Sequence, residues 1–458
     1  MSKYIMSEKT QKHTYMLWIA AFLLIFNVYH TKLQGLLLFT TSAVSTIAIQ
    51  GFAFALLIGY FTIDKKLRIH KIEIQTIEWM LILSLLVIFV TLENYGENLT
   101  YVVRYTALVL IVVLMKYEER MSHIMFYCIL AAVIIHVIAS IWFYYDTDFY
   151  LQNVYPSFDT QQKAHLYMQV TVNNHAVGLA SHYSQNGIYM AIALCCAFVL
   201  FFIKSKKSLC GKVALFSIVL VALVMTGKRG VLLFSVFAIL VAYTITKKSA
   251  FANKLIAVLF AISALSIVIY TLSFYIEGIA VSLERVTAMF TADSETYDIS
   301  NGRFKLYGIA WGFFEESPIL GIGWREFSKE VVNFYNQDSV LRDAHNVFLQ
   351  LLCETGVVGF TVFITMFITA FVQTVTLVLD SAKGTIAMSE TTKATLVFSL
   401  CYQVFFLSYC ITGNPLYDLE TVYMYIISIG FTSSVCFNRK EGYKENTLKK
   451  SESSKYIK

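Results

Sequence analysis

Twelve apolar runs succeed one another along the chain, at roughly 14–30, 35–62, 76–93, 100–115, 122–143, 187–203, 212–226, 230–246, 255–275, 356–379, 393–412 and 421–436. A helix crossing the hydrocarbon layer needs about 20 apolar residues. Backbone polar groups in lipid must bond within their own segment, so runs of this kind predict helices. Two long polar stretches, 144–186 and 276–344, interrupt the series. The pattern predicts an all-α, polytopic membrane protein of about 12 transmembrane helices, a single membrane domain over 1–458 with a large loop at 276–344.

Lysines and arginines orient the series. With the N-terminus inside, the segments on the inner side hold 25 of the 36 Lys and Arg. Cationic loops stay in the cytoplasm, so both termini are expected there and both long loops on the outer face. The segment 437–458 then reads as a basic cytoplasmic tail. MSKYIMSEKTQKHTY has no small-residue cleavage site after a short apolar core, and reads as a tail before a retained first helix.

Composition narrows the class further. The 458 residues are 57% hydrophobic and only 14% charged, against about 45–50% and 25% in soluble domains. Three prolines and 15% aromatics exclude collagen-like or disordered chains. A net charge of +6 sits where the membrane places it, and is no sign of a nucleic-acid partner. The eight cysteines lie mostly in apolar runs without paired CxxC spacing, so neither a disulfide set nor a metal site is expected. No phosphate-binding GxxxxGK[ST] loop occurs, which leaves no ATPase reading.

The chemistry gathers in 301–360. Residues 303–316 place Phe304, Tyr307, Trp311 and Phe314 at near-helical spacing, which predicts an amphipathic helix at the membrane surface, ended by Pro318. Arg303 stands at its start, where a guanidinium joins helix N–H groups in holding an anion. Gly321 and Gly323 permit a tight turn. Farther on, Asn346, Gln350 and Glu354 stand four apart as one polar stripe on an apolar helix that His345 begins. A polar stripe entering lipid needs a polar site beside it. Thr226-Gly227-Lys228-Arg229-Gly230 makes a very short outer turn, and Arg104 sits inside a span about four residues, or ~6 Å, from its outer end. Arginines and a histidine at one boundary suit an anionic lipid head such as a pyrophosphate.

Together the T-x-x-R-G turn, a large outer loop with Gly-Arg, P-I-L-G-I-G, and H-N-x-x-L-Q-x-x-x-E-x-G entering a span resemble the O-antigen ligase/polymerase (Wzy-type) family of integral membrane glycosyltransferases. The motifs cover about 226–360. The resemblance implies a GT-C-like fold acting on undecaprenyl-pyrophosphate-linked oligosaccharide, donor and acceptor alike, at the outer face of the bacterial cytoplasmic membrane. It implies no cofactor, metal or nucleotide, and a chain-length regulator as a possible partner. It assigns Arg229 and Arg303 to the donor pyrophosphate and His345 to the proton of the acceptor hydroxyl. Lys228 shares the anion role, because the turn reads Thr-Gly-Lys-Arg where Thr-x-Ser/Thr-Arg is the commoner form. Arg104, Asn346, Gln350 and Glu354 are substrate-binding candidates on chemical grounds. Members divide into polymerases, which join repeat units, and ligases, which pass glycan to another acceptor. The outer turn Gly413-Asn414-Pro415-Leu416-Tyr417-Asp418 leans toward capsule-type polymerases.

Each candidate has a structural counter-reading. On that reading Arg303 only snorkels to headgroups, as interface arginines often do. Arg229 anchors topology, Arg104 pairs with an intramembrane acid, and Gln350 and Glu354 glue helices. His165, His175 and His182 share a loop without ligand spacing. Trp311, Trp324, Phe327 and Tyr335 read mostly as interface anchors. A lipid-linked oligosaccharide flippase and a structural membrane partner are the competing classes; a flippase wants its polar residues along a path through both leaflets, whereas here they concentrate outside.

Overall fold

The computed structural model describes residues 13–29, 43–63, 73–93, 95–158, 160–204, 209–247, 302–335 and 343–455, with five positions between 267 and 274. Among the described residues there is no strand. Eleven of the twelve expected spans appear as helices: α1 (Thr14–Tyr29), α2 (Ala43–Ile63), α3 (Thr76–Val90), α4 (Tyr95–Met115), α5 (Glu119–Tyr145), α7 (Tyr183–Val199), α8 (Leu209–Met225), α9 (Arg229–Thr246), α12 (Val347–Lys383), α13 (Glu390–Tyr409) and α14 (Leu419–Lys455). The run 255–275 and the N-terminal tail lie almost wholly outside the described residues. Between the spans run α6 (Thr160–Thr171), α10 (Arg303–Glu316) and α11 (Phe327–Tyr335). Five helices are long and apolar enough to cross a membrane by length and composition, and five shorter apolar ones accompany them. This is a polytopic helical membrane protein.

Three boundaries moved for physical reasons. α4 begins at Tyr95, so Arg104 stands nine residues inside it, about 14 Å at ~1.5 Å per residue. α12 starts at Val347 and runs through Gly356, joining the polar stripe and the span into one kinked rod. α14 continues to Lys455, so the basic segment expected as a tail extends the last helix.

α13, α7 and the part of α14 over 421–435 are buried on nearly every side and form the hub. α14 packs on α13 and α4, α9 on α13, α12 on α3 and α13, and α1 on α2 and α5. The outer helices turn large apolar side chains outward, among them Phe22, Leu86, Leu233, Phe237, Val357 and Ile368. In water such a surface would aggregate; in lipid it is the ordinary solvent face.

Inside, polar groups pair with one another. Thr374 and Thr432 hydroxyls meet at 2.8 Å, and Gln403 Nε2 donates to Thr374 and Ser399 at 2.9 and 3.0 Å. These bonds fasten α12, α13 and α14 where apolar burial cannot distinguish helix from lipid. At the end of the bundle away from the 226–230 turn, Lys116 Nζ bonds Glu78 Oε2 at 2.6 Å, both side chains fully buried. Glu78 also accepts from Ser433 Oγ at 2.9 Å and from Gln75 N at 3.0 Å. Removing one partner strands a buried charge, at about 3–5 kcal/mol. Lys116→Met is therefore expected to lower the thermal transition in detergent sharply. Lys116→Met with Glu78→Gln should recover much of it, and equal melting of the single and double variants would contradict the pairing.

Candidate active site

The motifs of 317–358 build one joint. α10 ends at Ser317, and the chain then runs against α12 at Gly356, which holds φ 60° and ψ −171°. That conformation is open essentially to glycine alone. It breaks the helical ladder, and four backbone groups of α12 find partners in the Pro-Ile-Leu-Gly-Ile-Gly stretch. Ile322 N–H donates to the Cys353 carbonyl at 2.9 Å and Gly323 N–H to that of Glu354 at 3.0 Å. In return Val357 N–H donates to the Pro318 carbonyl at 2.9 Å and Val358 N–H to that of Ile319 at 3.3 Å. A Cβ at Gly356 would collide with the Ile319 carbonyl, and one at Gly321 with the Glu354 backbone. Two backbones meet there as closely as atoms allow.

Gln350 and Glu354 serve this joint. Both are fully buried. The Glu354 carboxylate accepts from Arg325 N–H at 2.9 Å, Phe327 N–H at 3.3 Å and Gln350 Nε2 at 3.0 Å. Gln350 Oε1 accepts from Ala344 N–H at 3.1 Å and Asn414 Nδ2 at 2.9 Å. Gln350 and Glu354 thus hold loop backbone in place. Trp324 and Phe327 are likewise not interface anchors. Both are fully buried, and Trp324 stacks on Tyr417 and Phe363 at centroid distances of 4.9 and 5.8 Å. The interface role fits Phe304 and Trp311, which stay exposed while Leu306 and Ala310 of α10 face inward. The side chain of Tyr335 lies outside the described residues.

His345 comes at the end of this frame. Its φ is +54°, a left-handed backbone uncommon for a residue with a side chain. Both neighbours hold it there. Ala344 is tied to Gln350, and Asn346 caps α12 by accepting from Phe348 and Leu349 N–H at 3.0 and 3.1 Å. Asn346 is accordingly a helix cap. His345 keeps contact with solvent, and the Tyr307 hydroxyl of α10 donates to its carbonyl at 3.5 Å.

The second wall is the 226–230 turn. Gly227 takes φ +68°, with no room for a Cβ against the His175 ring. Thr226 Oγ1 caps the end of α8 on the Leu223 carbonyl at 2.7 Å. Lys228 Nζ stands 5.5 Å from the Tyr183 ring centre, and Arg229, half-buried, opens α9. The two walls act on each other. Burial, then the Arg303 guanidinium, pulls the Lys228 ammonium down to about 8, against the pull of Asp418. Burial and then Arg303 also lower His345, with Asp343 opposing and Lys228 adding to the decrease. His345, Arg303 and Lys228 therefore converge from three separate parts of the chain. Arg104 stands apart, between α4 and α14 beside Glu420 and Tyr423, its buried Nε without a hydrogen-bond partner among the described residues.

Motif reading did not single out Asp418. It ends the Gly-Asn-Pro-Leu-Tyr-Asp turn. Burial of its carboxyl, then Glu420 and Asp343, raises it to about 7, against Arg325 and Lys228. Among the described residues no group of three or more His, Cys, Asp or Glu is placed to hold a metal ion.

A depressed pKa keeps the His345 imidazole neutral and able to take a proton at neutral pH. If His345 is the base, activity falls as pH drops through that pKa. Lys228→Gln removes a cation that opposes imidazolium, so the acid limb of kcat/KM should move to higher pH; Asp343→Asn should move it lower. Profiles that stay put in both variants would exclude His345 as the titrating group.

Helices that turn apolar sides outward, with cationic side chains and a histidine set at one end, define an integral membrane protein with a cationic cluster at that end. Residues 214–364 match the family model O-antigen ligase. That segment, about a third of the chain, holds Lys228, Arg229, Arg303, His345 and the Gly356 joint, and over it the chain is similar to the O-antigen ligases. No curated protein matches the chain.

Proposed function

We propose that this protein is a polysaccharide polymerase, joining undecaprenyl-pyrophosphate-linked repeat units at the outer face of the cytoplasmic membrane. The convergence of His345 on Arg303 and Lys228 carries the reading. In the proposed step His345 accepts the proton of an acceptor sugar hydroxyl, and that oxygen bonds the anomeric carbon of the donor. The bond from that carbon to the pyrophosphate oxygen breaks, and its electron pair leaves with the lipid pyrophosphate. Arg303, Arg229 and Lys228 stabilise the growing negative charge. A single displacement inverts the anomeric centre. In this orientation the 226–230 turn and α10 face outward and both termini face the cytoplasm. The lean toward polymerase over ligase rests on the 413–418 turn.

The test supplies purified protein with the native lipid-linked repeat unit and reads products on a gel. A ladder is the expected result. Transfer of the unit to an added lipid or protein acceptor, with no ladder, makes the protein a ligase using the same site. Movement of the unit across a bilayer with no new glycosidic bond overturns both and leaves a transporter.

A further inference from the structure

Arg325 carries a guanidinium whose N–H donors are unused. Within 323–327, Gly323, Trp324, Glu326 and Phe327 are buried, and Arg325 alone is not. Its backbone N–H is tied to Glu354, but its side chain makes no hydrogen bond or close ion pair among the described residues. Its φ is +64°, a left-handed backbone uncommon for a residue with a side chain. Both flanks impose it. Trp324 N–H donates to the Thr91 carbonyl at 2.8 Å, and Phe327 N–H to Glu354 at 3.3 Å. A glycine would take these angles without strain. An arginine held in them is an outlier of the kind that clusters at functional sites.

The packing sets Arg325 against Asp418. Trp324 and Tyr417, the residues just before each of them, stack at 4.9 Å with their rings 22° apart. Tyr101 of α4 closes the arrangement. Its ring lies 5.7 Å from that of Trp324, and its hydroxyl donates to the Leu416 carbonyl at 2.7 Å. The Arg325 guanidinium carbon stands 5.6 Å from the Tyr101 ring centre. An aromatic ring thus covers one face of the guanidinium and leaves its N–H edge as the free side.

The Asp418 carboxylate is unused as well. Asp418 stands immediately before α14, where an aspartate side chain ordinarily accepts from the first N–H groups of the helix. Here its backbone carbonyl accepts from Thr421 and Val422 N–H at 3.1 and 3.0 Å. Its carboxylate accepts no hydrogen bond among the described residues. Protein surrounds the carboxyl, yet the residue keeps accessible surface, as a group on the wall of a cleft does. Arg325 and Lys228 both lie within electrostatic reach of it.

A donor fork facing an acceptor selects its ligand. An oxyanion satisfies the guanidinium and repels the carboxylate, and an ammonium does the reverse. An apolar group leaves both unpaired. A hydroxyl accepts from one and donates to the other, and adjacent hydroxyls on one ring are what a sugar presents. Lys228 is among the cations assigned to the pyrophosphate, so the sugar nearest Asp418 is the one joined to that group. We propose that Arg325 and Asp418 form a subsite for the sugar bonded directly to the lipid pyrophosphate, Arg325 donating to its hydroxyls and Asp418 accepting from them. This rests on the glycosyltransferase reading of the site.

The test uses the full chain in nanodiscs and two probes, undecaprenyl pyrophosphate and the same carrier bearing the native repeat unit, with the affinity of each measured. Wild type should bind the glycosylated carrier more tightly. Arg325→Met keeps an unbranched side chain and removes the fork. It should weaken binding of the glycosylated carrier about 5- to 10-fold, as loss of one hydrogen bond predicts, and leave the bare carrier within about two-fold. Asp418→Ala should narrow the preference in the same way, whereas Arg303→Ala should weaken both probes. Equal loss on both probes in Arg325→Met would make Arg325 a phosphate ligand and overturn the subsite. No preference in wild type overturns it too, and so does a lower thermal transition in Arg325→Met without selective loss, which makes Arg325 a structural tie. An Arg325-dependent preference in a protein that forms no glycosidic bond keeps the subsite and overturns the enzyme.

Discussion

Gly356→Ala is expected to uncouple the two halves of the site and to lower transfer more than ten-fold, with a clear fall in the thermal transition. The added methyl meets the Ile319 carbonyl, and the backbone angles at 356 are strained for any residue with a Cβ. Strain of this kind costs about 1–3 kcal/mol before any clash is counted. Relief requires the 318–323 backbone to leave α12, which breaks four inter-segment hydrogen bonds and frees the chain that leads from Arg303 to Arg325. Val357→Ala, one residue on and facing outward, is the control and should change little. Unchanged melting and activity in Gly356→Ala would mean that the joint does not set the site.

His345→Ala is expected to lower kcat by about 10² to 10⁴, the range a positioned general base supplies, while leaving affinity for undecaprenyl pyrophosphate near wild type. Arg303→Ala should weaken that affinity and kcat together. Arg303→Lys should restore charge but only part of the rate, because an ammonium lacks the planar fork that takes two phosphate oxygens. The contrast separates proton transfer from anion stabilisation. A His345→Ala protein with full kcat would move the base elsewhere, with Asp418 the next group to replace.

The spans were legible because burial in lipid imposes a crude, long-range signal, and only the helix ends shifted. Arg303, Lys228 and His345 stood out in the sequence as cations and a histidine at one membrane boundary, and the structure brings them within electrostatic reach of one another. The roles of Gln350, Glu354 and Asn346 were not. A polar stripe looks the same in sequence whether it faces substrate or backbone, and the partners, Ala344, Arg325 and Asn414, are set by tertiary contact. Trp324 was misplaced for the same reason: indole is equally at home at an interface or in a stack between Tyr417 and Phe363. Asp418 was missed because one acid in a short turn carries no pattern at all.

The grip of α12 on the large loop has an evolutionary side. Glu354 holds Arg325 and Gln350 holds Ala344, so both ends of the stretch 326–343 are pinned to the first two turns of one helix. Insertions there lengthen a circuit that is already closed, at only about 0.6 kcal/mol for each doubling of its length. A longer stretch between them should therefore leave Arg325 and His345 in position.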